Sequence, residues 1–323
     1  MIMHTLIAMT LGLVLNMMLG KPKLFLSLED LILSTAKKIE KTFKNKYKET
    51  SEAQQMAGGM VMFFVLLIFS GIPLVFIVLS YLFVPAIGII IETLLFWFSI
   101  NIKNTRTKSM AIMRSARVGN LPNAQKKLSQ MTGLDCSEMS MDQVLKTTIE
   151  KISDRCVNGG FSPIFYMTIL GGFGAMFYKT LCLLNGEVVK NKEEYIDFGK
   201  KVRTLWNILG FIPSRIGSSL LMLDVNILSL NKDNAKKVHN RDHTHAIPKF
   251  LGEARSVIAG ALGIKLNSYE YYDGMFMRTR SIGQPIKSCE PNDIFWATQL
   301  FYGSVFSFFL LFALIRFALF FIF

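Results

Sequence analysis

Cysteine is scarce and scattered in this sequence. Cys136, Cys156, Cys182 and Cys289 are the four in 323 residues, and none stands in a C-x-x-C pair. That spacing argues against a zinc site and suits reduced thiols on the cytoplasmic side of a membrane. Strand-like alternation, internal repeats and low-complexity tracts are also missing, which excludes a β protein, a solenoid and a disordered chain. No P-loop, dinucleotide-binding fingerprint, nucleophile elbow or H-E-x-x-H motif occurs, so the chemistry those motifs carry has no foothold here. Charge is nearly absent from two long stretches, and acids are absent from the basic segment after the second of a pair of spans.

What remains is apolar and blocked. The chain is 51% hydrophobic with a mean hydropathy of +0.37, too apolar for an ordinary soluble domain. Residues 60–100 hold a single charge, Glu92, and are long enough for two spans of roughly 20 residues with a tight turn. Residues 294–323 make a C-terminal span. The apolar N-terminus lacks a basic leader and a small-x-small cleavage site, so it reads as a retained first span rather than a signal peptide.

The net charge of +13 would suggest nucleic acid in a soluble chain. Here the basic residues flank the spans: KKIEKTFKNKYK (37–48) follows the first, and Lys103, Arg106, Lys108, Arg114 and Arg117 follow the third. By the positive-inside rule both segments are cytoplasmic and the N-terminus is outside. Their partner is the bilayer, with anionic lipid at its face, and no nucleic acid is expected. The predicted architecture is an all-α polytopic membrane protein. It divides into a first span (1–20), a basic cytoplasmic segment (21–57), a membrane hairpin (58–100), a central helical domain (101–290) with membrane-embedded segments near 161–184 and 205–230, and a C-terminal span (291–323).

Several polar groups sit in apolar surroundings. CVNGGFSPIFYMTILGGFGAMFYK (156–179) carries Asn158, Pro163, Gly171 and Gly172, too interrupted for a plain span. Its glycines suit either close helix packing or a ligand-lined wall. Glu92 inside the third span needs a partner or a watery cavity. Arg316 reads as a snorkelling side chain at the outer interface. Arg215, after Pro213, fits an anionic ligand or an ion pair with Asp224 or Glu150. HNRDHTH gathers His239, Asp242, His243 and His245; a polar cytoplasmic loop is the simpler reading, and no metal or cofactor is expected.

The order of segments resembles the CobD/CbiB adenosylcobinamide-phosphate synthases. The resemblance is carried by GNLPNAQKKLSQMTGLD, TIEKISDRCVNGGFSPIFYMTILGGFGAMFYK, LWNILGFIPSR, HAIP, AGALGIKL and YYDG, and covers most of residues 1–290. It implies an inner-membrane, multi-pass protein of bacteria, its central domain cytoplasmic, that joins aminopropanol or its phosphate through an amide to a corrinoid carboxylate.

Departures fall on polar positions. The family's L-D-x-x-x-G-D-P reads Asn16 and Lys21 in place of its acids. E-x-x-x-E-N-x-x-D-G reads Glu150, Asp154, Arg155 and Asn158. N-T-L-D-S reads Cys182 to Gly186, D-D reads Trp206 and Asn207, and H-x-x-P-N reads His245, Pro248 and Lys249. AmpE-type membrane proteins of the same superfamily are similar at Ser162–Tyr166, Gly171-Gly172 and Ile212–Arg215 and also lack the acids.

Amide formation on an anionic substrate needs charged groups for protons, phosphate or metal. The loss of acids therefore predicts a non-catalytic scaffold or sensor that binds a ligand or partner protein, a homo-oligomer included. Its ligand-binding residues are then Asn158, Gly171, Gly172, Tyr178, Lys179 and Arg215. The alternative is a divergent synthase with a corrinoid as substrate, acting through Glu150, Asp154, Lys179, Asp242 and His245.

Overall fold

A computed structural model of the chain describes residues 2–46, 50–188, 195–267, 269–272, 275–278 and 280–322. The first helix, α1 (Ile2–Leu19), is apolar on every side, as a lipid-embedded helix is. Gly20, at φ 74°, breaks it, and α2 (Lys23–Lys46) leaves at 109° to α1. Because α2 has one apolar and one basic face, it is suited to lie along the membrane surface.

The chain then makes the expected hairpin. Thr50 caps α3 (Ser51–Leu66) by accepting a hydrogen bond from the Ala53 N–H. A π-helical turn (Leu67–Gly71) links α3 to α4 (Ile72–Phe83). Val84 is extended, as the residue before proline must be, and α5 (Pro85–Ser99) returns. After Ile100 and Asn101, α6 (Ile102–Arg117) carries the basic residues.

α7 (Leu121–Thr132) and α8 (Met141–Cys156) follow, the latter started by a capping box between Ser140 and Gln143. α8 does not stop where the polar sequence does. It passes through a second π-helical turn (Val157–Phe161) into α9 (Ser162–Val188), so the segment expected at 161–184 is the far half of a longer helix. The segment expected at 205–230 likewise belongs to α10 (Lys200–Ile227). Pro213 in α10 cannot bond the Leu209 carbonyl four residues back, and the Tyr166 hydroxyl donates to that oxygen instead at 2.8 Å. α11 (Lys232–Asp242), α12 (Lys249–Leu262) and α13 (Pro291–Ile322) complete the helices.

Among the described residues, five helical stretches are long and apolar enough to cross a membrane: Ser51–Phe83, Pro85–Arg117, Met141–Gly186, Lys200–Ile227 and Pro291–Phe321, with the bent pair α1 and α2 as a sixth candidate. The protein is an all-α polytopic membrane protein. A helix of some thirty residues reaches about 45 Å against a hydrocarbon core of about 30 Å, so the ends project beyond it. The absence of a strand period misses one feature, a short antiparallel hairpin of β1 (Tyr269–Tyr272) and β2 (Met275–Arg278). Asp273 and Gly274 of the YYDG element lie outside the described residues.

α12 is the helix the others surround, with every residue from Phe250 to Leu262 buried. The AGALG signature has a physical reading here. A Cβ on Gly260 would approach the Ala235 Cα of α11 to 2.7 Å, so only glycine lets these helices pack. Gly171 has a different reason. At φ 65° and ψ −156° it interrupts α9, and the freed N–H of Gly172 donates to Glu92 Oε1 of α5 at 2.9 Å. The Gly171→Ala substitution is expected to cost about 1–3 kcal/mol, from left-handed strain and collision with Glu92. Gly186→Ala, which meets open space, should not destabilise; thermal unfolding of the two purified variants checks the difference.

Candidate functional site

A buried ionic network forms where α2 crosses α9. Glu29 of α2 pairs through Oε1 with Lys179 of α9 at 2.6 Å and with Lys21 at the α1–α2 bend. Both ammonium groups also sit over the Phe98 ring, 5.8 Å (Lys21) and 5.5 Å (Lys179) from its centroid. Burial works to raise the Glu29 carboxyl, but Lys179 and Lys21 outweigh it and hold it near 2. Burial, reinforced by the Lys179 charge, brings Lys21 down to about 8 despite Glu29.

Lys179 faces a cavity of about 270 Å³ that Asn101, Arg155, Asn158 and Cys182 also line. The π-helical turn supplies Asn158: its wider spacing lets the Asn-Gly-Gly sequence turn side chain and backbone toward the cavity. Gly159 O accepts from the Asn101 N–H at 3.0 Å, and Tyr178 OH donates to Asn158 Oδ1 at 2.8 Å. Asn101 Oδ1 is buried without a protein partner among the described residues. The cavity thus joins two cations, Lys179 and Arg155, with Glu29 balancing one charge behind them.

The other expected site residues are elsewhere. Gly171 and Gly172 pack against Glu92. Arg215 does not meet Asp224 or Glu150; its Nε donates to Glu253 Oε1 at 2.7 Å, and Glu253 also accepts from Ser218 at 3.1 Å. Asp154 is held by Arg255 at 2.7 and 3.0 Å. Glu150 accepts from the Asn267 N–H at 2.9 Å. Asp242 accepts from Arg241 and from the Gly283 N–H; burial raises its carboxyl, but these contacts prevail and keep it below the usual carboxylate range.

The histidines of HNRDHTH diverge. His239 Nδ1 meets Ser256, His243 Nδ1 its own helix at the His239 carbonyl, and His245 Nδ1 the Ser281 carbonyl. Among the described residues no three metal-ligating side chains converge. Burial lowers His239 despite the adjacent Glu253.

Of the residues expected to act together, Asn158, Tyr178 and Lys179 are adjacent, whereas Arg215, Asp242 and His245 belong to the α10–α12 side. Motif reading missed Glu29, Lys21 as its partner, Asn101, and the Glu253 and Arg255 of α12. Glu29 is one of three acids in a basic amphipathic helix and carried no local signal, whereas Glu253 and Arg255 stand in a helix whose other charge is Lys249 at its start, an oddity that could have marked them.

A model of the CobD/Cbib protein family matches residues 9–301. The chain belongs to the CobD/CbiB family. Among curated members, it is 26% identical to the cobalamin biosynthesis protein CobD of Clostridium perfringens over 290 residues, 90% of this chain and 91% of the relative. Identity to the protein of the same name from Desulfotalea psychrophila is 25% over 328 residues, covering 97% and 98%. No solved structure matches. Of the positions where the sequence departs from the CobD/CbiB pattern, Arg155, Asn158 and Cys182 line this cavity and Lys21 belongs to the adjoining ionic network.

Removing one partner of a buried ion pair leaves an uncompensated charge. Arg255→Met is expected to cost about 3–5 kcal/mol, and the double variant D154N/R255M should recover much of that loss. Unfolding of the single and double variants in one detergent measures both.

Proposed function

We propose that this protein acts in cobalamin biosynthesis as a CobD/CbiB-type enzyme that forms an amide between a corrinoid carboxylate and aminopropanol or its phosphate. The observation carrying this reading is the cavity beside Lys179 and Arg155, where cations outnumber the one buried acid. Such a site holds a phosphate or carboxylate by charge-assisted hydrogen bonds. One carboxyl oxygen must leave, so the carboxylate is first activated by a phosphoryl donor of the nucleoside-triphosphate class. The amine nitrogen then adds to the acyl phosphate carbon and loses its proton, fixed cations stabilise the negative charge that grows on oxygen, and phosphate departs as the amide forms. Glu29 is unsuited to proton transfer, since two lysines hold it ionised.

The amphipathic α2 and the basic end of α6 support an orientation with this cavity on the cytoplasmic side of the inner membrane. The family membership and the CobD names of the relatives favour the enzyme.

A second reading keeps the fold and the ligand but not the reaction: a scaffold or sensor that binds a corrinoid or another membrane protein. It draws on one observation, that Asp154, Asp242 and Glu253 are all engaged by arginines. Complementation of a synthase-deficient strain separates the two. Growth restored on cobyric acid, and lost with Lys179→Met, supports the enzyme; failure to grow on cobyric acid while cobinamide still supports growth supports the scaffold.

Lys21 gives the binding step a pH dependence. It is charged below about 8, so its attraction for the bound anion is present there and is lost as pH rises through that value. Phosphate affinity, followed by titration calorimetry, should therefore fall between pH 7 and 9, and Lys21→Met should flatten that fall.

A further inference from the structure

A larger cavity, about 580 Å³, lies where α1, α4, α5, α9 and α13 meet. Its walls are mostly apolar, and Val78 and Ile169 on its rim are half exposed on the outside of the bundle, the surface that faces lipid. Thr5 and Tyr81 line it, and three further polar groups reach into it. Glu92 accepts from Tyr81 OH at 2.7 Å and from the Gly172 N–H at 2.9 Å. His4 stacks on the Tyr81 ring, with centroids 5.6 Å apart. The third is Arg316.

Arg316 does not snorkel freely as its position near the chain end suggests. It is 9% exposed, and its Nε donates to the Thr168 carbonyl at 3.0 Å. Among the described residues no carboxylate lies within salt-bridge distance of it. A guanidinium has five N–H donors in a planar fork that matches phosphate, and leaving it unpaired in an apolar setting is costly.

We propose that this cavity holds a membrane phospholipid with a phosphoethanolamine-type head, its phosphate on Arg316 and its ammonium toward Glu92 and Tyr81. Three features select that occupant. The formal charges of Arg316 and Glu92 cancel, so a zwitterionic head balances the site where a net anion would not. The apolar wall and open rim accept an acyl chain, which a free phosphate lacks. The cavity is also well separated from the cationic one: Gly171 and Lys179 are eight positions apart on α9, about 12 Å along the helix.

The test is native mass spectrometry of the full-length protein released from nanodiscs that contain phosphatidylethanolamine, phosphatidylglycerol or both. The wild type is expected to retain one phosphatidylethanolamine per chain in preference to phosphatidylglycerol. Arg316→Gln should lower that occupancy at least tenfold, while Arg316→Lys retains part of it. Leu74→Trp, which fills the cavity from its rim and leaves the arginine in place, should also expel the lipid and decides the matter if Arg316→Gln does not fold. Undiminished occupancy in Arg316→Gln or Leu74→Trp, equal retention of phosphatidylglycerol, or displacement of the lipid by free phosphoethanolamine would overturn the proposal.

Discussion

Two lysines sharing one buried carboxylate hold the candidate site together. Glu29 is an ionic contact between α2 and α9, and without it the Lys21 and Lys179 ammonium groups would be left uncompensated beside the Phe98 ring. With it, their repulsion is partly cancelled and the remaining positive charge points at the cavity. Burial makes this arrangement consequential, because charge that is screened within a Debye length at an open surface is screened far less inside a packed bundle.

The rest of the architecture presents that network. The π-helical turn between α8 and α9 places Asn158 on the cavity, and Asn101, at the break between α5 and α6, is tied to the same turn through Gly159. Around α12, buried from Phe250 to Leu262, arginine–carboxylate pairs link helices: Arg255 joins α12 to α8, and Arg215 joins α10 to α12.

Much of the fold was legible in the sequence because the bilayer enforces a simple pattern. Long apolar runs marked the hairpin and the C-terminal span. Helix lengths were less legible, since α8 runs from a polar amphipathic stretch into an apolar one with no proline or cap to mark an end. The site was half legible. Asn158, Tyr178 and Lys179 lie within one segment, so their proximity follows from helical spacing. The meeting of Lys21, Glu29 and Lys179 follows from a tertiary crossing that no local pattern encodes. The ion-pair partner of Arg215 was missed for the same reason, because Glu253 lies on another helix. The departures from the family pattern are spread along the chain, and only some of them, Arg155, Asn158 and Cys182, come together at the cationic cavity.

If that cavity is an anion site whose excess positive charge is limited by Glu29, two substitutions must act in opposite directions. Calorimetric titration of inorganic phosphate into the purified full-length protein is the direct measurement. Glu29→Gln removes the neutralising charge and is predicted to tighten phosphate binding, whereas Lys179→Met is predicted to abolish it. Phosphate binding that is unchanged in both folded variants, or that weakens in Glu29→Gln, would contradict the account.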